Sequence, residues 1–275
     1  MAKYFAVAVL LLTAACGTRT DIPEAGVEQG PAAPVAVAAT PVPTPEIPDL
    51  QDEIGDARFR ETTSPLGKFD FKNFTYPLPR GWQNPDGADI TLVDGHVTPV
   101  SLAVNENMSD EERVERKSAR RIGMSFVTVK YFDMTGDGND EAIVVLKIET
   151  AGNAIPQVAY IYEWKDDKPE LIWNFRTGDR ADGGLKDIRP ENGEITIELY
   201  GQDRFILGEV ETGKVTGDEE QLCCPIFFTR SFYKWNGSTF LREGKRLTYE
   251  VANRDVPPLE NYGDIVNARE NKNKK

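Results

Sequence analysis

Residues 142–164 read AIVVLKIETAGNAIPQVAYIYEW, and this stretch decides the class of fold. It contains two runs of aliphatic, β-branched and aromatic residues, Ala142 to Ile148 and Gln157 to Trp164, separated by Gly, Asn and Pro. Short apolar runs bounded by turn residues predict β-strands. The same pattern continues on both sides of this stretch. Further strands are predicted at Phe126 to Phe132, Glu170 to Phe175, Glu194 to Tyr200, Ile226 to Trp235 and Thr239 to Arg242.

Two Asn-Gly pairs, Asn192-Gly193 and Asn236-Gly237, lie between predicted strands. Asn and Gly adopt positive φ at low cost, and two-residue hairpin turns require that conformation. The strands that they join are therefore expected to pair antiparallel.

One helix is predicted from Ser109 to about Arg121. Ser109 and Glu112 have the spacing of a capping box, and acidic residues at the start are followed by basic residues near the end. The helix has almost no apolar face, so we expect it on the surface.

The pattern of apolar runs and turn residues predicts a mainly β protein with one antiparallel β-rich domain and a minor surface helix, over residues 51–255. Residues 16–50 are rich in Pro and Ala, and such segments sample extended polyproline conformations instead of forming a core. They are expected to form a disordered tether. Residues 256–275 are rich in Asn, Lys and Glu and are expected to form a polar C-terminal tail.

The N-terminus has the features of an export signal. Lys3 precedes an apolar run from Tyr4 to Leu12, which is too short to span a bilayer, and Thr13-Ala14-Ala15-Cys16 follows. This arrangement resembles the bacterial lipoprotein signal, although Thr13 stands where that family prefers Leu. The resemblance implies that residues 1–15 are a signal peptide and that Cys16 carries fatty acyl chains such as palmitate. The alternative is an ordinary signal peptide cut after Ala15.

The charge of the chain bears on its partners. With 32 basic and 45 acidic residues the net charge is −13, which disfavours nucleic acid and anionic lipid surfaces. Membrane attachment is therefore expected through the lipid on Cys16, in a bacterial cell envelope, facing the periplasm or the cell surface. Gly17 follows the cysteine, where enterobacterial lipoproteins retained in the inner membrane have Asp, and this favours the outer membrane.

An Asp- and Gly-rich segment, DMTGDGNDE at residues 133–141, lies between two predicted strands. Oxygen-bearing side chains at its first, third, fifth and ninth positions, with Gly at the sixth, suit calcium. The segment resembles the Asp-rich loops of exported FG-GAP and VCBS-type repeats. That resemblance implies metal ligands at Asp133, Thr135, Asp137, Asn139 (through its carbonyl) and Glu141. The alternative is a tight turn in which Asp side chains cap backbone amides and the glycines adopt left-handed conformations.

A second cluster, Asp179, Arg180 and Asp182, lies in a Gly-rich segment and is a candidate ligand loop. Arg180 suits an anionic group, and the two carboxylates suit sugar hydroxyls or a cation. The alternative is an inter-strand loop with a local Asp-Arg pair. The body of the chain is also similar to uncharacterised bacterial exported proteins, a resemblance that implies no activity.

Cys223 and Cys224 are adjacent and are a candidate disulfide or thiol site. Neighbouring cysteines in an oxidising compartment form a strained vicinal disulfide, pair with another chain or remain reduced and buried. The spacing differs from the C-x-x-C of oxidoreductases.

No catalytic motif is present. His96 is the single histidine, and the sequence has no G-x-S-x-G, Walker or dinucleotide-binding motif. We therefore expect a lipid-anchored envelope module with a binding or structural role, stabilised by calcium, whose partner is an envelope protein or a glycan. The alternatives are an envelope hydrolase that acts on glycan or peptide through Asp and Glu, and a thiol redox sensor.

Overall fold

Strands dominate the computed structural model, which describes residues 54–150, 155–179, 182–212 and 224–261. Within these ranges the strands are β1 (Thr75–Pro77), β2 (Asp89–Thr91), β3 (His96–Val97), β4 (Gly123–Phe132), β5 (Glu141–Glu149), β6 (Pro156–Lys165), β7 (Lys168–Asp179), β8 (Leu185–Glu191), β9 (Glu194–Tyr200), β10 (Phe205–Leu207), β11 (Val210–Thr212), β12 (Phe227–Trp235), β13 (Phe240–Glu250) and β14 (Leu259–Asn261). The helical elements of the described chain are a 3-10 turn at Pro65–Lys68 and the α-helix α1 (Asp110–Ser118).

The described strands form three sheets. A ribbon pairs β1 with β2, the large sheet has the order β10-β11-β7-β6-β5-β4-β3, and the small sheet has the order β14-β13-β12-β9-β8. Neighbouring strands are antiparallel except β7 and β11, which are parallel. The predicted mainly β, mostly antiparallel architecture is confirmed.

One hydrophobic core lies between the large and the small sheet. Ile143 and Ile161 enter it from the large sheet, and Ile197 and Tyr233 enter it from the small sheet, all of them buried. Because side chains of both sheets interdigitate here, the two sheets pack as a sandwich.

A second core covers the opposite face of the large sheet. Val144 and Tyr160 project into it and meet Leu66, Tyr76 and Leu92 from the N-terminal part of the described chain. The central strands are therefore buried on both faces. This explains why β5 reads as a continuous apolar run and lacks the alternation typical of strands with one solvent-exposed face.

The turn at Asn192-Gly193 is as predicted. Both residues have positive φ, 55° and 78°, and they alone separate β8 from β9. The prediction of a two-residue turn at Asn236-Gly237 is wrong. Residues 236–239 separate β12 from β13, and the Asn236 side chain accepts hydrogen bonds from the backbone amides of Ser238 and Thr239, which stabilises a longer loop.

The hairpin between β6 and β7 turns at Asp166 and Asp167, which have φ of 50° and 59°. This two-residue turn was missed because it contains no glycine. Asp tolerates the left-handed region better than most residues, so the turn forms with two aspartates.

The surface position of α1 is confirmed. Ser109 is its N-cap, and the reciprocal hydrogen bonds of the capping box with Glu112 are present. None of its residues is buried, and it ends at Ser118, three residues before the predicted end at Arg121. No helix of the described residues has the length and apolar character needed to cross a membrane.

The short strands β1, β2, β3, β10 and β11 were not predicted, and two longer segments also differ from the predicted strands. The strand predicted at Thr239 to Arg242 continues to Glu250, and Leu185–Glu191 was not predicted at all. Both contain charged residues whose partners lie elsewhere in the fold. Three residues of the predicted polar tail, Leu259–Asn261, pair with β13.

The sandwich core gives a direct stability test. Replacement of Ile161 by Ala removes a side chain that is fully buried between the sheets and should lower the free energy of unfolding by about 2–5 kcal/mol. Leu241, on β13, is 52% exposed, and its replacement by Ala should change that free energy by less than about 0.5 kcal/mol. Urea denaturation of both variants measures the difference. Equal losses would contradict the assignment of the core.

Candidate functional site

The Asp-rich segment joins β4 to β5 as a hairpin loop, with Phe132 and Glu141 paired at its base. Gly136 and Gly138 have φ of +80° and +89°, a region that residues with a Cβ rarely adopt. These glycines allow the loop to fold back over the start of β5, so that its first carboxylate approaches its last.

Three carboxylates converge in this loop. Asp133, Asp137 and Glu141 each place an oxygen within 4.8 Å of the other two. Asp133 and Asp137 are exposed, whereas Glu141 is only 2% exposed at the floor of the loop. We name these three residues the acidic triad. They are three of the five predicted metal ligands.

The exposed members of the triad also organise the backbone of the loop. The two carboxylate oxygens of Asp133 accept hydrogen bonds from the amides of Gly136, at 2.7 Å, and Gly138, at 2.9 Å. Asp137 accepts one from the amide of Asn139 at 2.8 Å. The features of the predicted tight turn are thus present. They are compatible with a bound cation, because each carboxylate oxygen has a further lone pair.

Glu141 is held from within the loop. One oxygen accepts hydrogen bonds from the amides of Met134, at 2.6 Å, and Thr135, at 3.2 Å, and the other accepts one from the Thr135 hydroxyl at 3.3 Å. Burial, together with the negative charges of Asp137 and Asp133, raises the pKa of Glu141 to about 7, although the two amide hydrogen bonds act in the opposite direction.

The remaining predicted ligands have different contacts. Thr135 directs its hydroxyl to Glu141, and Asn139 donates its amide to Asp137. Asp140, which was not predicted as a site residue, accepts a hydrogen bond of 2.6 Å from the Thr62 hydroxyl. That bond ties the loop to the segment before the 3-10 turn.

Both carboxylates of the second predicted loop contact other parts of the chain. Asp179 accepts a hydrogen bond from the amide of Ile155 at 2.8 Å, and Asp182 pairs with Arg204. Arg204 also lies 3.1 Å from Glu211. Arg180 lies outside the described residues. Asp182 thus pairs with an arginine about twenty residues further along the chain, and the predicted local pair with Arg180 remains a prediction.

The predicted lipidation and thiol residues lie mostly outside the described residues. Cys16 and Cys223 lie outside the described residues, and Cys224 is exposed. His96 Nε2 lies 3.4 Å from Glu149, whose other oxygen accepts a hydrogen bond from Ser125. Here the serine contacts the carboxylate instead of the imidazole, unlike the serine of a catalytic triad.

A cluster of buried charges beside β8 was not predicted from the sequence. Asp187 is contacted by three cations, Lys130 at 3.1 Å, Arg58 at 2.9 Å and Arg189 at 3.0 Å. The Lys130 side chain is fully buried, and that of Asp187 is 7% exposed. The available signal was a lysine inside the apolar strand FVTVKYF, although its partner on another strand cannot be identified from sequence.

A second carboxylate, Glu198, has a similar environment. It lies 3.1 Å from both Lys186 and Arg189 and 2.7 Å from Arg230. Arg189 therefore bridges Glu198 and Asp187. Burial alone would raise the pKa of Glu198, but attraction to the three cations outweighs it and leaves the pKa lowered. For Asp187, burial is likewise outweighed by Lys130 and Arg58, and its pKa is also lowered. We name these residues the ion cluster.

No protein-family model matches the sequence, and no curated protein matches it.

The ion cluster predicts an acid-dependent loss of stability. A carboxyl group with a lowered pKa in the folded state stabilises the fold above its ordinary pKa, 4.5 for Glu198, and this contribution is lost as the pH falls through the folded-state pKa. At pH 7, Glu198→Gln should cost about 3–5 kcal/mol, because three cations lose their buried partner. Near pH 2 the two proteins should have similar stability, since protonated Glu and Gln are both neutral.

Urea denaturation from pH 2 to pH 7 measures this convergence. The matched control is Glu106→Gln, at an exposed loop position, which should follow the wild-type curve throughout. A stability deficit of Glu198→Gln that is independent of pH would contradict the electrostatic role.

Proposed function

We propose that this chain is a lipid-anchored module of the bacterial cell envelope, with a binding or structural role, whose acidic triad binds calcium. The observation that carries the calcium proposal is the approach of three carboxylates to within 4.8 Å of one another. No cationic side chain in the described ranges forms an ion pair with any of the three. A divalent cation would therefore offset their mutual repulsion.

The donor chemistry favours calcium over other metals. The triad offers only carboxylate oxygens, and Thr135 adds a hydroxyl at the same place. Hard oxygen donors in a flexible loop suit Ca²⁺, whereas zinc and copper sites use histidine or cysteine. The residues present therefore fit calcium, with Asp133, Asp137 and Glu141 as the side chains that would hold it.

The position of the loop favours a structural role for the ion. The loop joins β4 and β5, two adjacent strands of the large sheet, and Glu141 is the first residue of β5. Calcium there would fix the hairpin and neutralise the buried Glu141 carboxylate. In the described part of the chain, no histidine or cysteine belongs to this cluster of ligand atoms.

Calcium should stabilise the full chain. At a concentration a hundredfold above its dissociation constant, a ligand adds about 2.7 kcal/mol, which raises the melting temperature of a domain of this size by several degrees. Asp137→Asn keeps an oxygen that can accept the Asn139 hydrogen bond but loses the charge, so most of the calcium-induced shift should disappear. Thermal unfolding in EDTA and then in excess calcium measures the shift.

Asp140→Asn is the matched control. It removes the same charge from the same loop, but Asp140 contacts Thr62 and is not a member of the triad. It should retain the calcium-induced shift. Absence of a shift in the wild type, or equal shifts in both variants, would leave the loop a hydrogen-bonded turn without a metal.

The lipid anchor is tested separately, in bacteria that express the full chain and are fed an alkyne analogue of palmitate. The wild type should incorporate the analogue and sediment with membranes, because acylation of Cys16 supplies the hydrophobic anchor. Cys16→Ala should lose both properties, and Cys224→Ala should keep both. Labelling that persists in Cys16→Ala would refute anchoring at this residue.

A further inference from the structure

A cleft of about 260 Å³ opens beside the ion cluster. It is lined by Asp56 and Arg58 from the N-terminal segment, Lys186 and Asp187 from β8, and Arg254 from the segment between β13 and β14. Three cations and two carboxylates from three separate parts of the chain thus face one space.

The two carboxylates of the cleft are already engaged. Asp187 has its three cationic partners, and Asp56 accepts hydrogen bonds from the Arg58 backbone amide, at 2.8 Å, and from the Arg58 guanidinium. Lys130 Nζ lies a further 3.7 Å from Asp56. Their negative charge is therefore directed at the protein's own cations.

Positive charge is in excess around the cleft. Among the described residues that line it or pair with its lining, cations outnumber carboxylates by five to three. The cations are Arg58, Lys130, Lys186, Arg189 and Arg254, and the carboxylates are Asp56, Asp187 and Glu198. The whole chain has a net charge of −13, so this local excess is opposite in sign to the protein as a whole.

Arg254 supplies the donors that the lining does not use. It is exposed and forms no ion pair with any residue that the structure describes, although its guanidinium carries five N–H donors. Its Cζ atom lies 5.8 Å from the centre of the Phe228 ring, and Lys186 Nζ lies 4.7 Å from the same ring. Phe228 is buried and stacks on Tyr249, so one fixed ring positions both cations beside the cleft.

We propose that this cleft binds an oxyanion of the phosphate class, either as inorganic phosphate or as the phosphoryl group of a lipid. Arg58, Lys186 and Arg254 approach from different elements, an arrangement that suits a tetrahedral anion with acceptors on several sides. Guanidinium groups pair with such anions through two parallel hydrogen bonds. The site is separate from the acidic triad and does not depend on calcium.

Titration of the full chain with inorganic phosphate, in EDTA and at constant ionic strength balanced with chloride, tests the proposal. Calorimetry should show saturable binding of one phosphate per chain, and thermal unfolding should show a matching rise in melting temperature. Arg254→Gln should weaken binding at least tenfold, and Arg254→Lys should fall between it and the wild type because it keeps the charge but loses the guanidinium. Arg254 is exposed, so both variants should fold, which circular dichroism verifies.

Arg120→Gln is the matched control, because Arg120 is also exposed but lies just beyond α1 and does not line the cleft. It should bind phosphate as the wild type does.

Vesicles of phosphatidylglycerol, compared with vesicles of phosphatidylcholine, distinguish the source of the anion. Binding of phosphatidylglycerol that depends on Arg254, with or without binding of free phosphate, supports the proposal. Absence of both, or binding equal in Arg254→Gln and the wild type, would overturn it.

Discussion

Burial of the central strands on both faces is the constraint on which the rest of the structure depends. On β5, Ile143 faces the small sheet and Val144 faces the core on the other side. The charged residues of this strand stand near its ends, at Glu141, Lys147 and Glu149. Polar chemistry is thereby displaced from the middle of the large sheet to the ends and edges of strands. The acidic triad lies at one such end, and the cleft lies beside β8 at the edge of the small sheet.

Two glutamates show how the same group acquires opposite properties in one fold. Glu141 and Glu198 are almost equally buried, at 2% and 3% exposed. Burial acts on both in the same direction, toward a higher pKa. The neighbours decide the outcome: two aspartates leave Glu141 with a raised pKa, and three cations leave Glu198 with a lowered one. Glu198 is neutralised by cations of the protein itself, whereas Glu141 belongs to the acidic triad in which we propose that calcium binds.

The sequence predicted those elements that are determined by residues close together along the chain. The strand Glu194–Tyr200 was predicted with both ends, because Asn192-Gly193 turns the chain just before it and Gly201 follows. The acidic triad was predicted because its members lie within nine residues, so a single hairpin brings them together.

Elements stabilised by distant charges could not be found in this way. The segment LKDIRPE reads as polar, yet it forms β8 because Asp187 is neutralised by Lys130 from β4. Likewise β13 continues past Arg242 because Arg246, only 3% exposed, pairs with Asp203 at 2.6 Å. Neither of these two ion pairs leaves a periodic signal in the sequence, because the partners in each pair are more than forty residues apart. The cleft beside β8 leaves no such signal either, because its lining comes from three separate parts of the chain.

The parallel pairing of β7 with β11 has a consequence for the order of folding. Between these strands the chain leaves the large sheet, forms β8 and β9 of the small sheet, and returns through β10. The outer edge of the large sheet therefore cannot close until that excursion has been made. Long-range pairings of this kind slow folding, because the entropy of closing the intervening chain is lost before the contacts form. We expect the two sheets to assemble as one cooperative unit, and a fragment that ends after β7 to lack the edge of its own sheet.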